Sequence, residues 1–282
     1  MGISDPSTTL SSDCYAFLTR IVYEHSRIRL GPDKQPLVTG RLSKRLRELN
    51  LQSFEAYCEL LRSPAGVAEL SPLIDLISTN HTHFFREAGH LDFLRQTAVP
   101  EFVAKLGARE PLRIWSAASS SGEEPYTIAI VLSEYFRTQP VHPWVIEGSD
   151  ISTRILEHAR NGIYSQDRVK LPDVQWLPRY FQKGSGDFEG YYRVKQSLRD
   201  LVKFHHLNLL QTPYPVATNQ HVIFCRNVMI YFDQKTREEL VEKLTNQLAP
   251  GGYLIVGHSE SLLGIKHHLR SVKATIYKKG NG

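Results

Sequence analysis

The chain has 282 residues, 41% hydrophobic and 22% charged, a balance that excludes general disorder and leaves room for one large α/β core beside a smaller unit. Its formal net charge of +5 calls for an acidic partner without naming one. No apolar run approaches the roughly 20 residues of a spanning helix, Met1 to Ser12 lacks a signal-peptide core, and three cysteines without a C-x-x-C pair argue against a disulfide framework or zinc ribbon, so a cytoplasmic protein with reduced core thiols and no membrane insertion is expected.

From about Ser11 to Ser78 the pattern is helical throughout, with Tyr15, Leu18 and Val22, then Phe54, Tyr57 and Leu61, on the 3.6-residue period. Pro32 and Pro36 break the first helix from a second, and Ser63-Pro64 and Ser71-Pro72 mark later turns. In the second helix Arg41, Lys44, Arg45 and Glu48 share one face, while Leu42, Leu46 and Leu49 form an apolar stripe on another. That describes a docked helix with a mostly basic outer surface, which serves either as a solvated face or as a docking face. Residues 1–78 are thus expected to form an all-α domain. Residues 79–110 read as an interdomain linker and helix, opening with the polar run Thr79-Asn80-His81-Thr82-His83 before Phe84-Phe85-Arg86.

After Pro111 strands and helices alternate: strand Leu112 to Ser116, helix Glu123 to Phe136, strand Trp144 to Ser149 ending at Asp150, and helix Ser152 to Arg160 with Ser152 as its N-cap. Strands Val202 to His206, His221 to Cys225 and Gly252 to Val256 follow, with a helix from Gln234 to Leu248. Alternation of this kind predicts a parallel sheet with helices on both faces and a ligand beyond the strands' carboxyl ends. A turn cluster, Gly184-Ser-Gly-Asp-Phe-Glu-Gly190, next to Tyr191-Tyr-Arg-Val-Lys195 interrupts the pattern and reads as a β insertion at about 180–201. The α/β domain then covers 111–282.

The stretch Arg113 to Tyr126 carries the most chemistry. A buried strand runs into small residues, one glycine, Gly122, and a helix opening with Glu123 and Glu124. Two carboxylates where a pyrophosphate would sit disfavour a dinucleotide and suit a ligand with positive groups of its own, such as S-adenosylmethionine; the glutamates also fit simple complements of the helix dipole. Asp150, just after the second strand, can accept two hydrogen bonds from a ribose diol or cap a helix. The strand Val222 to Cys225 runs directly into Arg226 and Asn227, again at a carboxyl end, and lacks the N-P-P-Y type segment of base and amide methyltransferases. Asn227 is equally a turn former and Tyr231 a core aromatic.

The motifs Asn80-x-Thr82-x-Phe-Phe-Arg86-Glu87, Trp115-Ser-Ala-Ala to Gly122-Glu-Glu-Pro-Tyr126, Ser149-Asp150-Ile, Asn208-Leu-Leu, Cys225-Arg-Asn-Val-Met-Ile-Tyr-Phe-Asp233 and Gly257-His-Ser-Glu260 occur in that order over nearly the whole chain. This resembles the chemotaxis-receptor glutamate O-methyltransferase family, CheR, departing mildly at Ser119-Ser-Ser121, where members often carry threonine before the glycine, and at Gly148, where alanine is usual. The resemblance implies a Rossmann-like class I S-adenosylmethionine-dependent methyltransferase domain, α/β in class, with a small all-α N-terminal domain for receptor recognition and a β insertion.

By position, it also implies that Asn80, Thr82 and Arg86 reach the cofactor, that Ala118 and Glu124 line its methionine part, that Asp150 takes its ribose, and that Asn208, Leu209, Arg226 and Asn227 form the adenine side and cleft. Arg86, and after it Tyr231, would act on the acceptor, and S-adenosylhomocysteine would be the product. Arg41, Lys44, Arg45 and Arg47 would guide the acidic helical region of a cytoplasmic chemoreceptor domain, and the insertion would bind a receptor's C-terminal pentapeptide by strand addition. No metal is expected, because His81 and His83 alternate and point apart. The rival readings are a nucleic-acid methyltransferase, disfavoured by the absent N-P-P-Y segment, and a non-catalytic cofactor-binding module.

Overall fold

A computed structural model describes residues 9–78 and 80–281. The chain divides into two compact units, one of Met1–Thr79 with Tyr231–Asp233 and one of Asn80–Ile230 with Gln234–Gly282. The first is built from α1 (Ser12–Ser26), α2 (Gln35–Glu48), α3 (Phe54–Arg62) and α4 (Gly66–Ile77). Ser11 and Ser53 cap α1 and α3 by accepting from the backbone N–H three residues on, at 3.4 and 3.2 Å. Leu18, Val22, Val38, Leu42, Leu46, Tyr57 and Leu73 are fully or almost fully buried, so the apolar stripes do face one another. Pro72 lies inside α4, not at a turn. A helical proline forfeits one backbone hydrogen bond and costs about 3 kcal/mol, which burial of Leu73, Ile74 and Ile77 offsets.

The second unit opens with α5 (Ala88–Phe93), a π-helical turn over Leu94–Ala98 and α6 (Val99–Val103), so from Asn80 onward the segment read as a linker folds with this unit. There follow β1 (Leu112–Ala117), α7 (Glu123–Thr138), β2 (Trp144–Asp150), α8 (Thr153–Asn161), β3 (Ile163–Ser165), α9 (Trp176–Tyr180), β4 (Phe181–Lys183), β5 (Tyr191–Val194), α10 (Gln196–Arg199), β6 (Val202–His206), β7 (Gln220–Cys225), α11 (Gln234–Gln247), β8 (Leu248–Val256), β9 (Arg270–Lys273) and β10 (Ile276–Lys278).

The main sheet has the order β6-β2-β1-β7-β8-β10-β9. Its first five strands are parallel, and β10 and β9 join antiparallel, an addition to the parallel sheet expected from the sequence. The chain builds outward from β1 through β2 to β6, then returns to β7 on the other side of β1. That reversal opens a crevice at the carboxyl ends of β1 and β7, where open α/β sheets bind their ligands. The fold is Rossmann-like α/β. Strands β1 and β7 are buried along almost their whole length, and Phe84, Leu94, Leu112, Ile114, Ile128, Ile130, Val222, Phe224 and Ile255 belong to one continuous core.

The insertion is a three-stranded antiparallel sheet of order β3-β5-β4; its first strand, three residues long and one residue beyond α8, carries too short a pattern to read from sequence. All three cysteines are buried and unbridged. No helix among the described residues is long and apolar enough to cross a membrane.

Candidate active site

The turn after β1 is shaped by its backbone. Ala118 has φ 79°, Ser120 φ 49° and Gly122 φ 94°, and only glycine adopts such values freely. A Cβ on Gly122 would also lie 2.9 Å from Ala159 Cβ and 3.0 Å from the Tyr164 hydroxyl, so this position admits no side chain. The Ala118 and Ser119 N–H groups donate to the Ser149 carbonyl at 2.9 and 2.7 Å, fixing the turn against the end of β2. There Asp150, 8% exposed, accepts from Ser120 N at 2.9 Å on Oδ2 and from Ser152 N at 3.0 Å on Oδ1. Ser152 in turn caps α8 through Ile155 N at 3.2 Å. Ser120 Oγ donates to the Asn80 carbonyl at 3.1 Å, which brings the segment before α5 to the same turn.

The two glutamates at the start of α7 have separate surroundings. Glu123 is fully buried, with Ser121 Oγ at 2.6 Å and Arg168 Nη2 at 2.5 Å; burial pushes its carboxyl up, against the Ser121 hydrogen bond and the Arg168 charge. Arg168 also donates to the Thr82 carbonyl at 3.3 Å. Glu124 accepts from Ser116 Oγ at 2.7 Å and from Arg226 Nη1 at 2.8 Å. Arg226, its side chain 2% exposed, further donates to the Arg86 carbonyl at 2.7 Å and pairs with Glu87 Oε2 at 3.1 Å. Asn227, at φ 60°, donates from Nδ2 to Glu87 Oε1 at 3.2 Å and from its backbone to Glu260 Oε2 at 2.5 Å.

Glu260 is a buried clasp for this loop. Its Oε2 also accepts from Gly257 N at 2.8 Å and its Oε1 from Ile230 N at 3.2 Å. Burial pushes its carboxyl up, opposed by these backbone donors. Glu87 is likewise raised by burial, but the Arg226 charge and the hydrogen bonds from Asn227 and Arg226 outweigh that and hold it well below the usual carboxylate range.

Asn80, Thr82, Arg86, Ala118, Glu124, Asp150, Asn208, Leu209, Arg226 and Asn227 all belong to the second unit. The contacts above join 80–87, 118–124, 150 and 226–227, and Leu207 N donates to the Asp150 carbonyl at 2.9 Å, setting Asn208 and Leu209 beside it. The Asn208 Oδ1 atom accepts from Leu210 N at 3.0 Å. Arg86 Nη1 donates to the His81 carbonyl at 2.9 Å.

Tyr231 belongs instead to the first compact unit, where its carbonyl accepts from Arg29 N at 3.0 Å. On α2, Arg41 Nη1 donates to the carbonyls of Leu76, Ile77 and Ser78 at 3.0, 2.7 and 3.2 Å, neutralising the end of α4. Arg45 clasps Glu69 through Nε and Nη2 at 2.8 and 2.7 Å and pairs with Glu48 at 3.0 Å. Lys44 and Arg47 are exposed. Glu87, Arg168 and Glu260 received no role from the sequence. Glu87 and Glu260 lie inside quoted motifs, which was the available signal; Arg168 lies 45 residues from Glu123 with no local pattern to link them.

The donor set fits S-adenosylmethionine better than a phosphate-bearing nucleotide. At the carboxyl ends of the central strands stand the carboxylates of Glu124 and Asp150, and the arginine there, Arg226, is already matched by Glu124 and Glu87.

Comparison with known proteins agrees. Residues 80–278 match the CheR methyltransferase SAM-binding domain and residues 14–78 the CheR methyltransferase all-alpha domain. A chemotaxis protein methyltransferase of Borreliella burgdorferi is 40% identical over 274 residues, covering 96% of this chain and 95% of that protein. The chemotaxis protein methyltransferase of Escherichia coli is 40% identical over 95% of this chain and 91% of its own length. Chemotaxis protein methyltransferase 2 of Pseudomonas aeruginosa is 41% identical over 91% and 89%. With both of its units matched and the crevice at the β1/β7 reversal lined as described, the chain belongs to the CheR family of S-adenosylmethionine-dependent methyltransferases.

Proposed function

We propose that this protein transfers the methyl group of S-adenosylmethionine to glutamate side-chain carboxylates of chemoreceptors, the methyl-accepting chemotaxis proteins, giving γ-glutamyl methyl esters and S-adenosylhomocysteine in sensory adaptation. The observation that carries this reading is the Glu124–Arg226–Glu87 network at the sheet's reversal point, inside a chain matched throughout by the CheR family. When bound, S-adenosylmethionine supplies an electrophilic methyl on a sulfonium. Asp150 holds the ribose hydroxyls, Ala118 and Glu124 the methionine end, and Asn208, Leu209, Arg226 and Asn227 the adenine side and cleft. Asn80 and Thr82 close the same site.

A glutamate acceptor is already ionised at neutral pH, so no strong base is required. The protein's task is in-line positioning and exclusion of water. Arg86, with one donor committed to the His81 carbonyl, keeps others to orient the acceptor carboxylate through its planar fork; Tyr231 is the second residue assigned to the acceptor. Lys44 and Arg47 are the outward charges on α2 that guide an acidic receptor helix, while Arg41 and Arg45 help anchor it. The insertion sheet has β3 and β4 at its edges, which supports strand addition by a receptor C-terminal pentapeptide, tested by calorimetry with tail peptides. The reaction takes place in the cytoplasm.

The test is transfer of labelled methyl from S-adenosylmethionine to purified receptor membranes, followed by mild base. Label released as methanol supports ester formation; base-stable label, or none, overturns it. Arg86→Ala is expected to cut turnover by far more than any loss of cofactor affinity accounts for, and wild-type turnover with cofactor affinity intact would remove Arg86 from its role.

A further inference from the structure

Among the described residues, one group of side chains brings metal-ligating atoms together from separate segments: Glu87, His90 and His258, whose ligand atoms all lie within 4.8 Å of one another. His90 is buried, at 2% exposure, in α5. Its Nε2 lies 2.8 Å from Thr275 Oγ1, and that hydroxyl spends its own hydrogen on the Ala274 carbonyl at 2.7 Å. Nε2 therefore carries the hydrogen and donates, which leaves Nδ1 of the neutral ring as a lone pair.

That lone pair lies 3.2 Å from Glu87 Oε2, with no hydrogen bond aligned between them. The Glu87 oxygen also accepts from Arg226 and from His258 N at 3.3 Å, whereas the buried His90 nitrogen has no hydrogen-bond partner, an unmet acceptor that a cation would satisfy. The spacing of the two atoms is close to the edge of a tetrahedral zinc site, in which bonds of about 2.0–2.2 Å give ligand-to-ligand edges of about 3.3–3.6 Å. The Nε2 donation to Thr275 is the arrangement that orients a ligating imidazole and fixes its tautomer. His258 is exposed, its ring centroid 4.8 Å from that of His90 and inclined at 71°, so rotation of its side chain brings a third nitrogen to the corner while one position remains open to water.

We infer that Glu87 Oε2, His90 Nδ1 and a ring nitrogen of His258 bind a divalent transition cation of the zinc class, with water as the fourth ligand. The same Glu87 oxygen pairs with Arg226 at 3.1 Å, so a bound cation competes with that arginine and loosens the loop at the end of β7. Metal and S-adenosylhomocysteine then oppose each other's binding by the same factor. This coupling alone rests on assigning Arg226 to the cofactor cleft; the ligand set does not.

The full-length protein is titrated with Co2+, read by its visible absorption, and with Zn2+ by calorimetry. The inference expects one equivalent with the intense bands of tetrahedral cobalt, displaced by Zn2+. His258→Ala should weaken binding at least about tenfold without disturbing the fold, His90→Gln should do the same, and the His267→Ala/His268→Ala control should leave affinity unchanged. Absence of a one-equivalent tetrahedral signal, or unchanged affinity in His258→Ala, overturns the site: the corner then holds only a proton, as an imidazolium facing Glu87. Saturating S-adenosylhomocysteine is expected to weaken Zn2+ binding several-fold, and equal affinities with and without it refute the coupling.

Discussion

Replacing Arg226 with methionine keeps the apolar stem and removes the charge. Arg226 is 2% exposed at its side chain and pairs with two carboxylates, Glu124 at 2.8 Å and Glu87 at 3.1 Å, that are themselves only 13% and 12% exposed. The variant leaves both carboxylates in the crevice without their shared cation, and such a loss costs about 3–5 kcal/mol. Glu87 now loses one of the interactions that hold its carboxyl below the ordinary range, so its folded-state pKa rises. The stability that a depressed carboxylate contributes is present above its unfolded pKa of about 4.3 and is lost as pH falls through the folded value; the variant keeps less of it, so the deficit is full near neutral pH and should shrink as pH falls below about 4. All three tryptophans, Trp115, Trp144 and Trp176, lie in the second unit, so urea titrations read by their fluorescence isolate it. Calorimetry should show at least a tenfold loss in S-adenosylhomocysteine affinity. A loss under about 1 kcal/mol, or a deficit that does not change with pH, would refute this account of the network.

Acid sensitivity should also arise at His221, whose Nδ1 accepts from Arg113 N at 2.9 Å. Burial and the Arg113 charge push its pKa down to about 4, so the unfolded chain binds the proton first. Stability contributed by the neutral ring is complete above about pH 6.5 and falls towards about pH 4 by roughly 3 kcal/mol; His221→Gln should flatten that limb of the fluorescence-monitored stability profile. A Cβ on Gly148 would lie 2.9 Å from two Phe204 ring carbons and 3.2 Å from Ser119 Oγ. Gly148→Ala should therefore cost about 1–3 kcal/mol, with Phe204→Leu recovering part of it in a double-mutant cycle; strict additivity would exclude the clash. Lys44→Glu with Arg47→Glu should raise KM for receptor several-fold without altering cofactor affinity. Arg45→Glu should instead lower the first unit's thermal stability by breaking the clasp on Glu69, and equal stability would show that the clasp is dispensable.

The parts of the fold legible in the sequence were those written by local chemistry. Ser152 as a cap, the strand ending at Asp150 and the small-residue turn before Glu123 each depend on neighbours within a few residues. What escaped depended on distant partners. Pro72 reads locally as a break, yet the buried side of α4 outweighs it. The antiparallel strands β9 and β10 are three or four residues long, and β9 is exposed throughout, so neither shows a strong alternation.

At the candidate site, Asp150 and the Glu124 turn stood out because each follows a strand. Arg41 and Arg45 belong to the basic stripe by spacing, but spacing does not reveal that carbonyls at the end of α4 and Glu69 are within their reach. Glu87 and Glu260 organise Arg226 and Asn227 across 140 and 33 residues, distances over which periodicity carries no information.

Asp150 shows what such wiring means for binding. With each carboxylate oxygen already held by a backbone N–H, the side chain's rotor is frozen before any ribose arrives. An unrestrained carboxylate side chain would lose about 0.5–1.5 kcal/mol of freedom on capturing its ligand; here that ordering cost belongs to folding. If Asp150 takes the ribose as proposed, cofactor exchange between turnovers would not require the clamp to be rebuilt each time.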